Sequence, residues 1–156
     1  MLSWLILSVL VVIVFLVLQS NQANLAESPG IAKRLKVFLT THKAEINLNP
    51  VLPELRSPHY SVPPDELLFQ VMTAMEQLGW QQVRQVKPGI GAKAIVVTPL
   101  WRFKDDVKVE IVTEGDGSSL RATSKSRIGR ADFAANSAHL QCLLLQIATN
   151  LSNSDQ

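Results

Sequence analysis

The first eighteen residues, MLSWLILSVLVVIVFLVL, are apolar except for Ser3 and Ser8, and no charged side chain occurs before Glu27. As a helix from Leu2 to about Ser20 this run rises roughly 28 Å, against a hydrocarbon layer of about 30 Å. Val11, Val12, Ile13 and Val14 are mediocre helix formers in water. In lipid every backbone group must be bonded within the segment, and that requirement overrides propensity. Trp4 suits the interfacial belt. A cleaved signal peptide needs a basic start and a small-residue cleavage site. The only early positive charge here is the α-amine, and Ala23-Asn24-Leu25-Ala26 fits that site poorly. A buried helix of a soluble domain is seldom this apolar at a terminus. The expectation is a single-pass, uncleaved anchor over residues 1–20. Lys33, Arg34 and Lys36 follow the span with nothing comparable before it, a bias that favours a cytoplasmic or stromal domain.

The anchor inflates the overall hydrophobic share of 47%. Without it the chain stands at about 41%, ordinary for one soluble domain. A net charge of +2 argues against a protein that coats nucleic acid, which needs many uncompensated cations. The stretch Arg121 to Arg130 nevertheless holds four cations and no acid. The single cysteine excludes an internal disulfide, and no Cys/His set has zinc-site spacing, so neither metal nor cofactor is implied.

Four segments follow the anchor. Residues 21–63 read as a tether, an amphipathic helix carrying Ile31, Leu35, Phe38 and Leu39, and a connector; the stretch Asn49 to Pro64 holds five of the eight prolines. Lys33, Lys36 and Lys43 lie largely off the apolar stripe, which suits a membrane-surface helix. A few lysines are equally common on any solvated face, and that favours a helix packed on the domain or leading into it. Pro64-Asp65-Glu66 opens a second helix with Leu67, Leu68, Val71, Met75 and Leu78 on one side, ended by Gly79. Strands are then expected at Trp80–Val86, Ala92–Phe103, Asp106–Thr113 and Ser119–Arg127, with turns at Lys87-Pro88-Gly89 and Glu114-Gly115-Asp116-Gly117. A long helix runs from Asp132 to about Asn150. The order predicts an α+β domain over residues 64–151, an antiparallel sheet of about four strands covered on one face by helices, with 152–156 as a tail.

Two places could carry chemistry. In the last strand Arg121, Thr123, Lys125 and Arg127 share a parity and project from one side. Arg102, Lys104 and Lys108 can join them as an anion- or headgroup-binding face, although Asp106, Glu110 and Glu114 can also balance an ordinary solvated face. The second place is Ser124 to Asn136, a strand, a glycine turn and a helix start. There Gly129 can take a positive φ, and Asp132 can cap the helix while accepting from Arg127 or Arg130. Capping alone accounts for Gly129 and Asp132; two arginines beside a helix start also fit an anion. Asp105 and Asp106 are adjacent in a strand and so face opposite ways, which prevents them from acting as one dyad without a bulge. His42, His59 and His139 show no ligand spacing, and Cys142 reads as an inert thiol. No nucleophile elbow, phosphate loop or dinucleotide fingerprint occurs, so no catalytic set is assigned.

Trp101-Arg102-Phe103-Lys104-Asp105-Asp106-Val107, followed by Leu120 with Thr123-Ser124-Lys125-Ser126-Arg127-Ile128-Gly129-Arg130-Ala131-Asp132-Phe133 and Asn136, resembles the family called domain of unknown function 1499 over about residues 60–148. The resemblance singles out Arg102, Phe103, Asp105, Asp106, Ser126, Arg127, Gly129, Asp132 and Asn136. Alanine stands at 131 where the family usually has serine. The cysteines many relatives carry upstream are absent from Pro53 to Tyr60, so no property tied to them transfers. The family looks bacterial and plastid-associated, which implies a bacterial inner membrane or a thylakoid-type membrane. It brings no established activity.

The expected function is a membrane-anchored, non-enzymatic binding or assembly module that holds a protein or lipid partner near the bilayer. Its tentative site is Arg102, Asp105, Asp106, Lys125, Arg127, Gly129, Arg130, Asp132 and Asn136, with membrane lipid and a membrane protein as partners and no nucleic acid. The alternatives are a carrier of a small apolar molecule, and an enzyme using Asp105 or Asp106 with Arg102 and Arg127.

Overall fold

The computed structural model of the chain describes residues 2–86, 90–99 and 102–154. Its first element, α1 (Leu2–Ser20), holds a window from Ser3 to Ser20 long and apolar enough to cross a membrane, almost all of it exposed. Its last turns touch the rest of the chain. Leu18 is 3% exposed within the core cluster, Val14 packs against the cluster, and Asn21 Nδ2 donates to the Phe133 carbonyl at 2.9 Å.

Helix α2 (Ile31–Thr40) packs on the domain with Leu35 and Phe38 of the apolar stripe turned inward, but rotated so that the rest of the stripe is not. Phe38 is buried, Ile31 and Leu39 are exposed, and Arg34 takes the inward position with 0% exposure. The guanidinium accounts for this. It donates to both Glu54 oxygens at 2.7 and 2.8 Å and to the Ser28 carbonyl at 2.6 and 3.0 Å, so a buried charge is both paired and saturated with acceptors. Glu54 sits in the 3-10 turn Pro53–Leu55, and Gln141 donates to it at 3.4 Å.

The remaining elements are β1 (Lys43–Ile46), β2 (His59–Tyr60), α3 (Pro64–Gln77), β3 (Gln81–Gln85), β4 (Gly91–Val97), β5 (Lys104–Glu114), β6 (Gly117–Ser126) and α4 (Ala135–Ser154). The architecture is α+β, as expected, but the sheet has six strands rather than four. Residues 21–63, read from sequence as tether and connector, supply the two extra ones together with the buried side chains Phe38, Ile46, Leu52 and Leu55. β1 alternates polar and apolar residues over four positions only, and the two residues of β2 hold no pattern at all. The order is β1-β6-β5-β4-β3, all antiparallel, with β2 also on the β6 edge. Glu114 faces Gly117 across the expected hairpin turn. The turn expected at Lys87-Pro88-Gly89, and Trp101 of the family motif, lie outside the described residues.

Helices α3 and α4 lie side by side on one sheet face. Leu67, Val71 and Met75 of α3 and Leu140, Leu143 and Ile147 of α4, all at 0% exposure, meet Ala92, Val107, Val109 and Leu120 of the sheet. Burial of each large side chain contributes roughly 1.5–3 kcal/mol. Among the described residues no helix covers the opposite sheet face, where Lys104, Asp106, Lys108 and Glu110 of β5 and Arg121 and Lys125 of β6 are exposed.

Candidate functional site

The residues singled out by sequence divide into three groups. Asp105, Asp132 and Asn136 lie on the covered side of the sheet and are buried. Asp106, Lys125 and Arg127 lie on the open side, and Arg102, Gly129 and Arg130 sit in exposed loops.

Asn136 organises the buried group. Its amide oxygen accepts from Ser124 Oγ at 2.5 Å. Its nitrogen donates to Asp132 Oδ2 at 2.6 Å, Ser126 Oγ at 2.9 Å and the His42 carbonyl at 3.1 Å. The expectation that Asp132 accepts from Arg127 or Arg130 is not met. Its other oxygen caps the Ala134 N–H at 3.0 Å, and α4 begins at Ala135 rather than Asp132. Phe133 and Ala134 between them have φ of +50° and +72°, costly for residues with a Cβ. Asp132 holds this turn from within. Burial raises its carboxyl above the ordinary value, while the bonds from Asn136 and Ala134 pull it back.

Asp105 is 1% exposed, and neither carboxylate oxygen has a hydrogen-bond partner of good geometry. Burial raises its carboxyl; the nearby Ser126 hydroxyl opposes the shift and the Asp106 charge adds to it. His139 Nδ1 stands 3.6 Å from Oδ2. Burial pushes this imidazole down to about 4, and its ring meets Trp80 edge-on at 6.5 Å. His139 was not assigned a role from sequence. A signal for the Asp105 side of the pair was present: Asp105 shares its parity with Val107, Val109 and Ile111, which places a carboxylate in an apolar row.

On the open face Arg127 Nε and Nη2 grip Asp106 Oδ2 and Oδ1 at 2.8 and 2.6 Å. That fork holds the Asp106 carboxyl below its usual range. The two aspartates therefore stand on opposite faces, as their adjacency in a strand requires, and only Asp106 pairs with arginine. The register sets Lys93 beside Lys108, and Arg84 beside Lys93. Arg84, Lys93, Lys108 and Arg127 line a depression of about 300 Å³ against the single acid Asp106, over a floor that includes Ile95. A second depression, about 240 Å³, mixes Lys108 and Arg121 with Glu45 and Glu110. Arg84 and Lys93 were missed in the sequence because β3 is bulged and the Ala92–Ala94–Val96 parity of β4 was not read. Among the described residues no group of three His, Cys, Asp or Glu side chains gathers as for a metal ion. Gly129 has φ of +94°, a conformation that favours glycine.

A helix able to cross a membrane, followed by an α+β domain with one helix-covered and one cation-rich open sheet face, defines the class of protein. The chain belongs to the family described as protein of unknown function, DUF1499, whose pattern matches residues 24–147. No curated protein sequence matches it. Solved structures are similar at low level, two of them as follows. One is the crystal structure of Ara h 8.0201, with 13% identity, 71% of this chain and 98% of that chain covered, and a TM-score of 0.37. The other is CalU16 from Micromonospora echinospora, with 13% identity, 62% and 76% covered, and a TM-score of 0.33.

Proposed function

We propose that this chain is a membrane-tethered, non-enzymatic binding module whose open sheet face holds an acidic segment of a protein partner near the bilayer, with the domain on the cytoplasmic or stromal side. The observation that carries this is the depression where Arg84, Lys93, Lys108 and Arg127 surround one acid. Four cations on a twisted, exposed sheet focus a positive potential that an acidic peptide or loop would neutralise. A carrier of an apolar molecule needs room between helices and sheet; Leu67, Val71, Leu120, Leu140 and Leu143 lie in that layer at 0% exposure, and the two depressions described above open on the other face. An acid–base enzyme would need Asp105 and Asp106 in one cleft, and the sheet lies between them.

The test places a photo-crosslinker at Lys93, and separately at Phe69 on the exposed side of α3, in the full chain in its native membrane. The reading expects a product from position 93 alone, with an acidic stretch of the captured protein at the crosslink, and its loss on Arg127→Ala or Lys108→Glu with folding unchanged. Equal capture from both positions, or capture indifferent to charge reversal, rejects the open face as the site. Protease accessibility in sealed vesicles checks the side of the membrane.

A further inference from the structure

Anchor and domain are not joined by a loose tether. Val14 and Leu18 of α1 both contact the core cluster. Leu18, 3% exposed, precedes Ser20 by about 3 Å along the helix axis. Because α1 is no longer than the hydrocarbon layer, the domain side chains that cover Leu18 lie at the boundary between lipid chains and headgroups. This step rests on reading α1 as a membrane span.

We infer that one end of the domain, the loop 127–133 with the start of β5, seats in the headgroup layer of the same bilayer, with Ile128 inserted and the surrounding cations on anionic lipid phosphates. One side-chain bond and several backbone bonds gather this end at the exit of the anchor. The Phe133 carbonyl accepts from Asn21, and its N–H donates to the Phe38 carbonyl at 3.1 Å. The N–H of Asp132 donates to Thr41 at 3.0 Å, and that of Arg127 to Lys104 at 3.2 Å. The exposed apolar side chains nearest these bonds in the chain are Ile128 at 66%, Phe103 at 43% and Leu39 at 39% exposure.

Charge points the same way. Arg102, Lys104, Lys125 and Arg130 are exposed and form no ion pair among the described residues. The acids at this end are spent elsewhere: Asp105 and Asp132 are buried, and Asp106 is held by Arg127. At the opposite end the β5–β6 turn carries Glu114 and Asp116. An anionic surface would attract the first end and repel the second.

The experiment uses the full chain with Cys142→Ala, in nanodiscs of phosphatidylcholine and phosphatidylglycerol. A polarity-sensitive fluorophore is placed on Val9→Cys, Ile128→Cys or Asp116→Cys. Labels at 9 and 128 should be quenched by nitroxides on the lipid chains, and the label at 116 by aqueous iodide alone. Lys104→Glu with Arg130→Glu should lower lipid quenching at 128 several-fold while leaving position 9 unchanged. If position 9 reports lipid and position 128 behaves like 116, the seating is overturned and the anchor stands. If position 9 is open to iodide, the span itself is rejected, and the seating falls with it.

Discussion

Asp105 and Asp106 follow one another in β5 and stand on opposite sides of the sheet, one 3.6 Å from His139 in the interior and the other in the two-pronged grip of Arg127 on the open face. A single motif therefore serves two surfaces. The inward carboxylate belongs to the packing of α4 on the sheet, and the outward one trims a basic face.

The inward pair makes stability depend on pH. Burial holds His139 at about 4 instead of 6.5, so the folded state favours the neutral ring. The stability it contributes is complete above about 6.5 and is lost as pH falls toward 4, on the order of 3 kcal/mol for a shift of that size. Asp105 has the opposite sign: its raised carboxyl is protonated first in the folded protein, so stability returns as pH falls through that value. Denaturant titrations across this range should show a flatter acid limb for His139→Gln. Asp105→Asn should steepen that limb and raise stability at about pH 8.

Asn136 has no spare capacity, since its oxygen and nitrogen serve Ser124, Ser126, Asp132 and the His42 carbonyl. Asn136→Ala leaves several buried groups unpaired and should cost about 3 kcal/mol in urea denaturation. Ser124→Ala removes one donor and should cost about 1 kcal/mol.

Arg34 is the deepest charge in the molecule's described part, and it joins α2 to the 3-10 turn through Glu54. Arg34→Met strands that carboxylate and should lower stability by about 3–5 kcal/mol. The double variant Arg34→Met/Glu54→Leu should recover much of the loss in the same thermal and urea melts, because a buried pair replaced by apolar groups leaves no charge alone.

Gly91 is required by contact. A Cβ there would collide with the Val109 carbonyl oxygen on the neighbouring strand. Gly91→Ala should open the β4–β5 ladder locally, seen as faster amide exchange from Ala92 to Val96, while exchange in α4 stays slow. Equal protection in both proteins would show that the strands shift to make room.

Much of the fold is legible in local pattern. The apolar run before Glu27 specifies a helix able to cross a membrane, because its length matches a bilayer and lipid leaves the backbone no other way to bond. Period-two alternation marks β5 and β6, and Pro64 with two acids marks the start of α3. The same alternation separates Asp105 from Asp106, and the two motif regions identify the family. Tertiary structure decided the rest. Strands of two and four residues exist only because β6 offers an edge to pair with, and Arg34 faces inward only because Glu54 and the Ser28 carbonyl wait there from elsewhere in the chain. Which acid meets Arg127, which ring meets Asp105, and how closely the domain covers Leu18 depend on contacts between segments far apart in sequence. Local periodicity tells a side chain which way to face; it carries no record of what is facing it.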